Sequence, residues 1–135
     1  MPLLFNMTKL PLNLENTVIL IEVTLSGRRA TKSLKMVLDT GATITTIPIE
    51  RALAIGCDPT KSKRRIEMIT ASGTEYAPIV TVPKIELLGF TLHKVDVVCH
   101  NLPPQSVGSG LLGLNILKNF DVFLKFRSKL LEIAK

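Results

Sequence analysis

Short aliphatic runs rich in β-branched residues, broken every ten positions or so by Gly, Pro and Ser, leave this chain little choice but a sheet. Thr17 to Leu25 (TVILIEVTL) is the first run, and Ser26-Gly27 turns it toward a second, Ala30 to Leu38 (ATKSLKMVL). Arg64 to Val82 reads as two strands around Ala71-Ser72-Gly73-Thr74, where Gly73 permits the positive φ of a tight hairpin. Lys84 to Leu88 and Thr91 to Cys99 form another hairpin across Gly89. Val122 to Phe126 and a last strand through Ile133 flank a turn at Arg127-Ser128. Two short helices interrupt this pattern. Pro48 suits a first helical turn, Ile49 to Ile55 keeps helical spacing, and Gly56 suits a left-handed stop. Leu114 to Phe120 is the second. With 135 residues, no internal repeat and no linker, the chain is expected to form one domain over 1–135, mainly β.

The net charge of +6 raises the question of phosphate-bearing partners. Its only dense source is Lys61, Lys63, Arg64 and Arg65, a run beside Pro59 without interleaved aromatics, which reads as a solvated loop or as the edge of a channel that prefers acidic substrates. A nucleic-acid partner is not expected. Met1 to Leu14 lacks the apolar core of a signal peptide, and no apolar run approaches the roughly 20 residues of a spanning helix, so a cytoplasmic protein without membrane contact is expected. Cys57 and Cys99 are not expected to pair. His93, His100 and the two cysteines lack the spacing that would anchor zinc, and no metal or other cofactor is implied. His100 to Gly110 is the longest loop, a length that usually marks function or mobility.

The chemistry concentrates at Asp39-Thr40-Gly41-Ala42, where an acid ends an apolar strand and Gly41 lets backbone N–H groups approach it. Taken alone, the triplet is equally good turn chemistry. A second element changes the weighing. Leu111-Leu112-Gly113 runs into a helix start about seventy residues downstream, followed by another strand. With the Gly73 hairpin between them, these motifs resemble the retropepsin family of aspartic proteases over roughly Thr17 to Phe126.

The resemblance implies a closed, six-stranded-type acid protease barrel with two short helices, one lobe per chain, working as a homodimer. Asp39 matches the catalytic aspartate. Thr40 matches the residue whose hydroxyl bonds across the dimer, and Gly41 the backbone approach to the carboxylate. Ala42 completes the loop without the hydroxyl that several acid-adapted members have there. Ala71, Ser72, Gly73 and Thr74 fall at the tip of the family's flap, and Leu112 and Gly113 match the apolar-Gly pair that packs on the catalytic loop. One departure stands out. Many viral members follow that glycine with an Arg that pairs with an acid beyond the catalytic loop, whereas this chain has Leu114 and Thr43-Ile44-Thr45-Thr46. Apolar packing must then hold the dimer, with Leu130 to Ile133 a candidate contributor.

One motif per chain implies that a copy supplies the second Asp39. One carboxylate would act as base on a water while the other, protonated, donates to the scissile carbonyl of an extended polypeptide. The alternative is a non-catalytic dimeric barrel that binds a peptide or partner.

Overall fold

Along the first hairpin, burial alternates with the period of a half-buried sheet. Ile21, Val23 and Leu25 of β2 (Leu20–Ser26) and Leu34 and Met36 of β3 (Thr31–Leu38) turn inward, while Glu22, Ser33 and Lys35 face out. The computed structural model describes residues 7–15 and 18–135. Thr17, the expected start of the first strand, and Met1 to Asn6 lie outside the described residues.

After β3 come β4 (Thr46–Ile47) and helix α1 (Ile49–Ile55), preceded by Pro48 and closed by Gly56 at φ +90°. A 3-10 turn, Pro59–Lys61, leads to β5 (Arg65–Thr70), β6 (Gly73–Leu87) and β7 (Phe90–Cys99). The chain finishes with β8 (Leu111–Leu112), helix α2 (Leu114–Leu117), β9 (Asp121–Lys125) and β10 (Leu130–Ala134). Pairing runs β2-β3-β8-β4-β7-β6, and β6 pairs back onto β2 with Val23 opposite Leu87, so these six strands are linked in a ring. β5 hangs from β6 as the outer arm of a hairpin. A separate three-stranded sheet, ordered β1-β10-β9, lays Leu131 and Ile133 into the same core as Ile21, Met36, Ile55, Leu112 and Ile116. Thus the described residues are mainly β with two α-helices, as the aliphatic runs require.

Three elements differ from expectation. β1 (Met7–Pro11) forms despite its Lys and Pro, because an edge strand tolerates both and Pro11 sits at its end. β6 is one strand through Pro78 and Pro83 rather than two. Its inward residues change from Val80 and Val82 to Ile85 and Leu87 across Pro83, whose neighbour on β7, Lys94, has φ +53°. Helix α2 stops at Leu117 because the Asn119 side-chain amide donates to the Asn115 and Ile116 carbonyls, ending the helix there.

Candidate active site

Two short parallel pairings place the candidate carboxylate. Val37 and Leu38 at the end of β3 lie beside Leu111 and Leu112 of β8, and the Asp39 N–H donates to the Leu112 carbonyl at 3.0 Å. Asp39 therefore leaves the sheet where its backbone is still tied to a buried strand. Its Oδ1 accepts from the Gly41 N–H at 2.9 Å, and its carbonyl accepts from the Ala42 N–H at 3.2 Å. The side chain is half-buried, while Thr40 and Gly41 are exposed. The result is a carboxylate aimed by its own turn and open to solvent on one side.

The rest of the loop is clamped from the other side by β8 and α2. The Leu114 N–H donates to the Ala42 carbonyl at 2.8 Å and the Asn115 N–H to the Thr43 carbonyl at 3.2 Å. Leu112 is fully buried, and Gly113 permits the approach. A Cβ at Gly113 would stand 2.8 Å from the Ala42 carbonyl oxygen, the Ile44 carbonyl carbon and the Thr45 nitrogen. Of the residues singled out in the sequence, Asp39, Thr40, Gly41, Ala42, Leu112 and Gly113 thus share one local structure.

Sequence reasoning missed its tightest joint. Asn115 Oδ1 accepts from both the Thr45 N–H and the Thr45 hydroxyl at 2.8 Å, and its Nδ2 donates to the Asp96 carbonyl at 2.7 Å. The Thr45 hydroxyl in turn accepts from the Gly113 N–H at 3.0 Å, so this fully buried oxygen is satisfied as donor and acceptor. A neutral amide one residue past Leu114 ties helix to loop. The available signal was an Asn at the first turn of a helix that follows Gly, paired with a Thr in an otherwise apolar stretch.

Ala71 and Ser72 form the turn between β5 and β6, with Thr70 opposite Gly73 at φ +125°. Ile69, 87% exposed, and Tyr76 lie diagonally on one face of this hairpin, which gives its tip an apolar side. At the base of the hairpin, Arg64 grips both carboxylate oxygens of Asp96 at 2.8 and 2.9 Å and the Thr81 hydroxyl at 2.8 Å. Asp96 is therefore a fixed partner on β7. The Arg64 hydrogen bond, helped by the Thr81 hydroxyl, holds its carboxyl below the usual range against a smaller opposing effect of burial.

Both cysteines are free, and burial pushes the Cys99 thiol up to about 12. Among the described residues no His, Cys, Asp or Glu group is arranged to hold a metal, and no helix is long and apolar enough to cross a membrane.

A strand-end carboxylate set in a clamped loop on a ring of six strands defines a likeness to acid protease lobes, and the comparisons agree. The chain matches the family described as "gag-polyprotein putative aspartyl protease" over residues 21–119. Its fold is similar to the crystal structure of a retropepsin-like aspartic protease from Rickettsia conorii, with TM-score 0.72 and 22% identity over 94% of this chain and 89% of that one. None of the curated proteins matches it. This chain belongs to the gag-type, retropepsin-like family of aspartic proteases.

Proposed function

We propose that the protein is an aspartic endopeptidase whose active unit is a homodimer with one Asp39 from each chain. The observation that carries this is the anchoring of Asp39: its backbone tied to Leu112, its Oδ1 to the Gly41 N–H, and its loop clamped by Gly113, Thr45 and Asn115. Chemistry that depends on placing two carboxylates around one water needs such a rigid mount. Two acids side by side share a proton, so one member is the base for the attacking water and the other donates to the scissile carbonyl oxygen. Neither a metal nor a covalent intermediate enters these steps. The exposed Thr40 is assigned the contact that joins the two loops across the dimer. The hairpin around Ala71, Ser72, Gly73 and Thr74 is the flap, whose apolar face at Ile69 and Tyr76 suits an extended polypeptide lying beneath it. Free Cys57 and Cys99 fit a reducing compartment, and the cytosol is the setting we propose.

Digestion of an unfolded protein substrate from acid to neutral pH tests the assignment. Asp39→Asn keeps the shape but removes the base and the shared proton, so hydrolysis is expected to vanish while folding persists. Cutting at the wild-type rate by the purified variant removes Asp39 from the mechanism.

A further inference from the structure

Midway along β7 the backbone turns left-handed at a residue that carries a Cβ. Lys94 takes φ +53° beside Pro83, which has no N–H to offer the ladder at that point. In a regular strand His93 and Lys94 would point to opposite faces, whereas here both are exposed. Both line a cavity of about 360 Å³ that Lys118 and Asn119, just past α2, also line. Ile44, Leu92 and Val95 supply its apolar lining. Among the described residues neither lysine nor His93 has an ion-pair partner. Asp96, the one acid in the lining, is already gripped by Arg64. Beyond that pair the surface stays basic: Arg64, Arg28 and Lys61 line a second cavity, where Asp58 is turned back onto Thr60. Backbone strain that brings two cations and an imidazole together at solvent calls for an anion.

Two lining residues belong to the candidate active site. Ile44 lies two positions past Ala42 in the Asp39 loop, and Asn115 is the amide that bonds both Thr45 and the Asp96 carbonyl. From Asp39 to Ile44 the chain spans at most about 18 Å, the length of about five residues of an extended peptide. The lining also indicates which anion. Lysine is a compact charge on a flexible stem, suited to carboxylates that arrive at varied positions. No aromatic ring lines the cavity for a nucleic-acid base to stack on, while its apolar residues fit the methylenes of Glu.

We propose that this cavity is a docking site for acidic residues of the polypeptide substrate, within about five residues of the bond that is cut. Lys94 and Lys118 are its specificity-determining residues, and His93 adds a donor. This rests on the peptidase reading above and names the class of substrate: segments in which Glu or Asp flanks the scissile bond. Exposed charge pairs contribute little each, so the preference expected for two carboxylates is about fivefold.

The test compares two peptides built on a sequence cut in the unfolded substrate, one with Glu and one with Gln at the flanking positions. Their kcat/KM ratio at low ionic strength is expected to be about five for wild type, and about 0.5 M salt to remove most of the preference. Lys94→Gly with Lys118→Gln is expected to bring the ratio to about one. Glycine takes a positive φ without strain, so this variant should melt no lower than wild type. Loss of preference without loss of stability separates a ligand-binding lysine from a structural one. Lys32→Gln with Lys135→Gln removes the same charge elsewhere and should keep the preference. A wild-type ratio near one, a ratio that survives in the Lys94 and Lys118 variant, or one lost equally in the control overturns the docking site and leaves the peptidase standing. Binding is read separately, by fluorescence anisotropy of labelled Glu and Gln peptides of equal length on the Asp39→Asn chain. If wild type cuts nothing, the peptidase reading falls, while Glu-peptide binding that depends on Lys94 and Lys118 still supports the docking site. A single-stranded oligonucleotide that binds these lysines more tightly than the Glu peptide does overturns the assignment to polypeptide.

Discussion

Replacing Gly113 by Ala tests whether the carboxylate loop is held by shape. The added methyl would sit 2.8 Å from three backbone atoms of the loop, contributed by Ala42, Ile44 and Thr45. None of these is a flexible side-chain end, so the loop itself must shift. Overpacking of this kind costs about 1–3 kcal/mol. Displacement also loosens the Gly113 N–H bond to the Thr45 hydroxyl and the Leu114 N–H bond to the Ala42 carbonyl, at about 1 kcal/mol each. Together these predict roughly 2–4 kcal/mol of lost stability, since relief of the clash and loss of the bonds overlap. Urea unfolding at a fixed protomer concentration measures it, because dimerisation otherwise contributes through mass action. Peptide hydrolysis is expected to fall more steeply than stability, since a shift of about 1 Å in a reacting group can cost on the order of a hundredfold. A Gly113→Ala protein within 0.5 kcal/mol of wild type, with unchanged kcat/KM, would refute the clamp.

Asn115→Ala removes the acceptor for the Thr45 N–H and hydroxyl and is expected to cost about 2–3 kcal/mol in urea unfolding, with a parallel loss of hydrolysis; an unchanged unfolding midpoint would show that water replaces the amide. Asp96 is held below the ordinary carboxylate range by Arg64, so its contribution to stability is present above the unfolded pKa of about 4 and is lost as pH falls through the lower folded value. The stability difference between wild type and Asp96→Asn should therefore be flat from neutral pH to about pH 4 and narrow below it; one that widened on acidification would reverse the assigned sign. Gly73→Val puts a β-branched residue at φ +125° in a position with open space around it, so turnover on peptides should fall several-fold with little change in the unfolding of the core. Unchanged turnover would place this hairpin away from bound substrate.

Local chemistry was enough for much of the scaffold. β2 and β3 follow from β-branched residues at alternate positions, α1 from Pro48 and Gly56 at its two ends, and the Leu88-Gly89 turn from a glycine that takes φ +83°. Asp39-Thr40-Gly41 and Leu112-Gly113 were visible as motifs because each residue type answers a local need: an acid at a strand end, and a glycine where backbones meet. The limits of β6 were less legible, since Pro83 reads as a break unless its place in the ladder is known.

By itself, then, the sequence determined that this chain builds a mainly β lobe with one Asp-Thr-Gly carboxylate, because strand period, turn residues and helix ends act between near neighbours. Only the tertiary structure decided which distant residues meet. Asn115 bonds Thr45 across seventy positions, Arg64 holds Asp96 across thirty-two, and β10 is enclosed while β9 is left open. Those pairings arise when distant strands close into a ring and a second sheet packs on it. A polar side chain then takes whichever buried partner the packing presents, and no local pattern specifies which.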